Sequence, residues 1–112
     1  MAGDADATLA AEGAVDVWLT FYVCIGAPPG FQDGYCGTMA SGAPVYAGAA
    51  ACGYAWPLGT KFMIQGDPIV YTCEDRGWGA DLWVDVWFYD YASGRAWRNH
   101  LPKYVIVRLL NE

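Results

Sequence analysis

An all-β fold with a minor helical part, closed as a barrel or packed as a sandwich, is what this sequence predicts. Three observations lead there. Apolar and polar residues alternate with a period of two, the mark of a strand with two unlike faces. Gly and Pro clusters cut the chain into about six short pieces of this kind, as in barrels and sandwiches. Only one stretch, near the carboxyl end, reads as a helix.

The elements follow in order. Residues 1–13 are small, acidic and Ala-rich and read as a flexible segment, leaving 14–112 as a single domain. From Val15 to Val23, five apolar residues alternate with Asp16, Trp18, Thr20 and Tyr22, a strong strand pattern. Residues 24–44 hold Ala27-Pro28-Pro29-Gly30, Asp33-Gly34 and Ser41-Gly42 and predict a long loop. Val45–Cys52 is small and apolar, suited to a short buried strand. Strands are expected at Lys61–Gln65, Ile69–Glu74, Asp81–Tyr89 and Lys103–Leu110, with turns at Trp56–Thr60 and Gly66-Asp67-Pro68. Ala92–Asn99 predicts two turns of helix, weakened by Gly94.

Composition narrows the function. The 112 residues are 55% hydrophobic and 16% charged, enough for one domain with a real core. The net charge of −6, with six Lys plus Arg, argues against nucleic acid as a partner, because phosphate binding needs a basic patch. No apolar run approaches the roughly 20 residues that span a bilayer, so no membrane span is expected. Four cysteines, Cys24, Cys36, Cys52 and Cys73, form an even set without a CxxC pair, and the lone histidine, His100, is remote from them. Neither a metal site nor a cofactor is expected. Two disulfides in an exported domain, Cys24–Cys36 and Cys52–Cys73, are the favoured arrangement, and four buried free thiols the alternative. No signal peptide is visible at the start, so the expected location is extracytoplasmic or secreted after trimming, or virion-associated with release by lysis.

The stretch from Cys73 to Phe88 bears most on chemistry. Leu82, Val84, Val86 and Phe88 form one face of a strand, and Asp81, Trp83, Asp85 and Trp87 the other. The second face mixes carboxylates with broad rings, as a carbohydrate-processing groove requires. A turn that folds the strands back brings Asp75 towards Asp85. Two carboxylates sharing a cleft have their pKa values pushed apart, which leaves one protonated as an acid. The plainer reading makes these aspartates structural, capping turn N–H groups or pairing with Arg76 or Arg108. The tryptophans can equally be core. With eight tyrosines and six tryptophans, though, the aromatics exceed what such a core needs, and some are expected along an exposed groove.

An ordered set of motifs adds to this: Thr20-Phe21-Tyr22, Gly37-Thr38-Met39-Ala40-Ser41-Gly42, Ala49-Ala50-Ala51, Trp56-Pro57-Leu58-Gly59-Thr60-Lys61, Asp75-Arg76-Gly77 and Val84-Asp85-Val86-Trp87-Phe88. The set resembles the three-aspartate (3D) domain of bacterial cell-wall proteins over about residues 17–110. Asp75-Arg76-Gly77 is closer to the related rare lipoprotein A barrels. The resemblance implies a six-stranded double-psi β-barrel with one short helix. It also implies cleavage of the MurNAc–GlcNAc bond of peptidoglycan, as in lytic transglycosylases, with Asp75 and Asp85 as the catalytic carboxylates. Trp78, Trp83, Trp87, Tyr22, Thr20 and Ser41 make up the expected substrate-binding set.

The chain departs from the family pattern in two informative places. The middle aspartate is missing, since the chain reads Ala50-Ala51-Cys52-Gly53-Tyr54 there, and Arg76 replaces the threonine after the first retained aspartate. Arg76 is expected to hold Asp75 ionised through its charge. These departures keep an alternative open: a non-catalytic wall-binding, virion or self-assembling structural module that retains the barrel. Its partners would be peptidoglycan or another polysaccharide, further copies of itself, or virion proteins.

Overall fold

The computed structural model describes residues 14–77 and 82–110. The expected lead-in at 1–13, and with it Trp78 and Asp81, lies outside the described residues. Six strands, β1 (Ala14–Ile25), β2 (Ala49–Cys52), β3 (Lys61–Ile64), β4 (Val70–Arg76), β5 (Trp83–Asp90) and β6 (Tyr104–Leu110), are joined by one helix, α1 (Tyr91–Arg98), between β5 and β6. They close into a barrel in the order β1-β5-β2-β4-β3-β6. The fold is the one the sequence predicts, with shifted boundaries. β2 is half its expected length, because Val45 to Gly48 belongs to the loop, and Gly48 takes a φ of +101° before the strand starts. β4 runs on to Arg76, and that extension carries Asp75.

Two pairings, β1 with β5 and β2 with β4, are parallel, and the other four are antiparallel. β5 lies between β1 and β2, while β2 lies between β4 and β5. Four connections, β1 to β2, β2 to β3, β4 to β5 and β5 to β6, therefore each pass over one other strand, and only β3 to β4 joins neighbours.

Alternation decides what fills the barrel. Val17 and Leu19 of β1, Phe62 and Ile64 of β3, and Val84 and Val86 of β5 pack into one buried core. The Cys52–Cys73 disulfide lies within that core and links β2 to β4, with Cα atoms 5.7 Å apart. All four residues of β2, Ala49 to Cys52, are buried, because this strand is covered on both faces. Only small side chains fit there.

The other face of β1 and β5 holds a second buried cluster of Tyr22, Cys24, Ala51, Trp83 and Trp87. Here the expectation of exposed aromatics is corrected for three residues, whereas Trp18 is exposed as expected. Tyr22 is 7%, Trp83 8% and Trp87 6% exposed. The cause is the loop 26–48, which folds back over this face. Its Val45 packs on the cluster, and the Tyr35 carbonyl accepts a 2.7 Å bond from the Trp87 indole N–H. A disulfide, Cys24–Cys36, pins the loop to the end of β1. Both bridges have the favoured pairing. Leu82 was expected to face the core; it precedes β5 and is exposed.

The glycine that weakens the helix has a packing reason. Asp90 caps α1 by accepting from the Ser93 N–H at 2.9 Å. One turn later Gly94 is buried, and a Cβ there would come within 2.4 Å of the Phe21 ring and 3.2 Å of Phe88. Alanine would raise helix propensity by about 1 kcal/mol, whereas overpacking of this kind costs about 1–3 kcal/mol. Gly94→Ala is therefore expected to lower stability by about 1 kcal/mol, read as a lower midpoint in urea unfolding at unchanged slope.

Candidate active site

Register places the two singled-out aspartates in one row. Thr20 on β1 stands opposite Asp85 on β5, and Asp85 stands opposite Ala51 on β2. Ala51 in turn stands opposite Asp75 on β4. Strands about 4.8 Å apart put the two aspartate Cα atoms about 10 Å apart. The small Ala51 between them leaves room for both carboxyl groups to lean over it.

Asp75 reaches this row through an irregularity. Tyr71 and Cys73 of β4 point into the barrel core, and unbroken alternation would send Asp75 there too. The register against β2 shifts between Ala50 and Ala51, so Ala50 pairs with Cys73 but Ala51 pairs with Asp75. Glu74 is the extra residue. A bulge of this kind turns the following side chain to the opposite face, and here it moves a carboxylate from the core to the cavity.

The hydrogen bonds around Asp85 have a fixed direction. The indole Nε1 of Trp83 donates to Thr20 Oγ1 at 3.0 Å, and an indole can only donate. The Thr20 hydroxyl donates its own proton to Asp85 Oδ1, at 2.8 Å. Because Oδ1 is an acceptor, the proton of a neutral Asp85 sits on Oδ2. Burial pushes the Asp85 carboxyl up to about 7; the bond from Thr20 opposes that shift, and the charge of Asp75 adds to it. Burial and the same two aspartates also raise the pKa of Tyr22, which keeps its phenol protonated.

Asp75 is an acceptor throughout. Its Oδ1 takes the backbone N–H groups of Ala40 (3.0 Å) and Arg76 (2.9 Å), and its Oδ2 the Tyr22 hydroxyl (3.3 Å). The capping role considered for it is thus real, and part of it is supplied by the covering loop. The Arg76 guanidinium does not serve Asp75 as expected. Its Nη1 donates to the carbonyls of Gly53 (2.8 Å) and Trp56 (2.6 Å), and its charge lies 4.9 Å from the centre of the Tyr54 ring. The turn after β2 presents carbonyls that need donors, and Arg76 braces that turn.

A cavity of about 440 Å³ opens over the row. That is within the size range of small-ligand sites. Both aspartates and Thr20 line it, with Trp18, Tyr22 and Trp83 as aromatic wall. Phe31 and Tyr35 complete the wall from the covering loop, and no strand pattern could have announced them. Gly77 is required here, since a Cβ on it would lie 2.2 Å from the Trp83 ring. Two expected binding residues lie elsewhere. Trp87 is buried beneath the loop, and Ser41 bonds within its own turn, accepting from the Ala43 N–H at 3.2 Å. Among the described residues no group of three or more His, Cys, Asp or Glu side chains is placed to hold a metal ion.

No family model, curated protein or solved structure matches the chain. The site is therefore read from its geometry.

That geometry has a cost in stability with a definite sign. The pKa of Asp85 is higher in the folded chain than the ordinary 3.9 or so of an unfolded one, so the folded state binds the proton more tightly. Stability from this group is full below pH 4 and is lost as pH rises through about 7. Asp85→Asn keeps an acceptor for Thr20 and removes the buried charge. The variant is expected to be more stable than the parent at pH 8, by on the order of 3–4 kcal/mol. In thermal melts across pH, the two midpoints should converge towards pH 4; a constant offset would contradict the assignment.

Proposed function

We propose that this barrel cleaves a glycan by carboxylate acid/base chemistry, and that its substrate is the MurNAc–GlcNAc bond of peptidoglycan, as the resemblance to 3D-domain lytic transglycosylases implies. One observation carries the reading: two carboxylates face a single aromatic-walled cavity across Ala51, and one of them sits where it keeps a proton near neutral pH. In this reading Asp85 is the acid and later the base. The proton on its Oδ2 passes to the glycosidic oxygen as the bond from that oxygen to C1 breaks. The resulting positive charge at C1 and the ring oxygen is stabilised by Asp75, whose three donors hold it in place. Asp85, now a carboxylate, takes the proton of the muramic C6 hydroxyl, and that oxygen bonds to C1. A 1,6-anhydro ring closes and no water is consumed.

Trp18, Tyr22 and Trp83 supply the sugar-stacking wall, and the Thr20 hydroxyl fixes which Asp85 oxygen holds the proton. The two disulfides fit an oxidising, extracytoplasmic setting, which is where peptidoglycan is met. A second reading has one observation in its favour. The family's middle aspartate falls where Ala51 and Cys52 stand, and Cys52 is committed to the core disulfide. A barrel that only binds wall polymer, or assembles into a larger particle, needs no third carboxylate.

Incubation of the purified protein with peptidoglycan, followed by mass spectrometry of the soluble products, separates the two. Anhydro-muropeptides are expected, with a rate that falls as pH rises through about 7, where Asp85 loses its proton. Asp85→Asn should reduce the rate by about 10²–10⁴-fold, the usual contribution of a general acid. Asp75→Asn should also slow cleavage while leaving the fold intact. A folded protein that releases no sugar anywhere from pH 4 to 8 would leave the binding or assembly reading.

A further inference from the structure

The cavity over the aspartates does not end at β1. A second depression of about 340 Å³ adjoins it and shares Trp18, Thr20, Phe21 and Phe31 with its wall. Its remaining lining includes Arg98, at the end of α1, and Lys103, just before β6, and no acidic residue lines it. The chain carries a net charge of −6 and only six lysines and arginines. Three of those six, Arg76, Arg98 and Lys103, line the joined depressions. Arg76 lies at the carboxylate end and braces the turn after β2, so Arg98 and Lys103 are the two cations at the other end of the groove.

Arg98 is held for such a task. Its Nε donates to the Leu19 carbonyl at 3.1 Å and its Nη1 to the carbonyls of Leu101 (2.9 Å) and Pro102 (3.2 Å), which locks the guanidinium plane beside β1 and leaves Nη2 to meet a ligand. Leu19 immediately precedes Thr20, the donor to Asp85, so the guanidinium is bound to β1 one residue before the threonine that holds Asp85. Lys103 is exposed and lines the same depression, with its ammonium 5.8 Å from the centre of the Tyr104 ring. Fixed guanidinium and exposed ammonium are together suited to a carboxylate.

We propose that this second depression is a subsite for a carboxylate carried on a sugar ring, next to the ring held over Asp85 and Asp75. The inference rests on the glycan-cleaving reading and adds to it a preference: acidic glycans over neutral ones of the same backbone. A lactyl ether and a uronic acid present the same group, so the probes must separate them.

The experiment is a binding titration with the full chain bearing Asp85→Asn, so that nothing is cut during the measurement. Three probes are compared at low salt: a GlcNAc–MurNAc tetrasaccharide with free lactyl carboxylates, tetra-N-acetylchitotetraose as the neutral equivalent, and a tetragalacturonate. At least about tenfold tighter binding is expected for one acidic probe over chitotetraose, as for a charge-assisted contact, and which one it is names the source of the carboxylate. Lys103→Glu, at an exposed position, should bring that ratio to near unity while leaving chitotetraose affinity unchanged. Equal affinity of all three probes, or a preference that survives Lys103→Glu, overturns the subsite but not the glycan reading. Failure of every probe to bind overturns both. Arg98→Lys serves as a second variant, retaining charge but not the planar fork, and should weaken only the acidic probe.

Discussion

Where Asp75 points is settled by the ladder between β2 and β4, and the rest of the site depends on that. A regular ladder would direct Asp75 into the barrel beside Cys73, where a carboxylate would meet Phe62 and Tyr71. The one-residue slip at Ala50/Ala51 delivers it instead to the face that already carries Asp85 and Thr20. The slip occurs in a strand of four small buried residues, next to a disulfide that holds β2 against β4. Small side chains permit the closer approach, and the bridge limits how far the two strands can separate. The barrel's covalent link and the aspartate row are thus neighbours by construction.

Much of the fold was legible because strands announce themselves by period. β1 and β5 showed their alternation directly, and the Gly/Pro clusters marked the turns and a loop over 24–44, short of its actual end at Gly48. The favoured cysteine pairing is also the one found. What the chain could not reveal was the use of the second face. Trp83, Trp87 and Tyr22 look like exposed platforms when a strand is considered alone, since alternation separates faces without saying which are covered. The loop 26–48 covers this one, and a loop's path follows from tertiary bonds such as Trp87 to Tyr35 rather than from local pattern. The bulge was equally hidden, although it decides the role of Asp75. The sequence suggested that Arg76 and Asp75 would pair because they are adjacent. In the fold, the carbonyls of Gly53 and Trp56 claim the guanidinium.

The Trp83–Thr20–Asp85 chain shows how a single donor-only group can orient a site. An indole N–H at one end takes a lone pair of the threonine hydroxyl, whose proton goes to Asp85 Oδ1 and leaves Oδ2 clear of that bond. Trp83 is simultaneously wall, packing and orienter, and it can sit there because Gly77 has no side chain to meet its ring. Asp85 therefore inherits its geometry from packing, at some expense to stability at neutral pH.

The strand order also has a consequence in time. β1 is the first strand synthesised, yet both its neighbours, β5 and β6, are among the last, with Trp18 meeting Trp83 and Val15 meeting Val107. As the chain leaves the ribosome, β1 has no partner until β5 and β6 have followed it. Contacts so distant in sequence are slow to form, and an unpaired strand edge is what other chains stick to. The two disulfides, by contrast, span only 12 and 21 residues. In an oxidising compartment those short loops can close first, so that the late arrival of β5 and β6 completes a scaffold already half assembled.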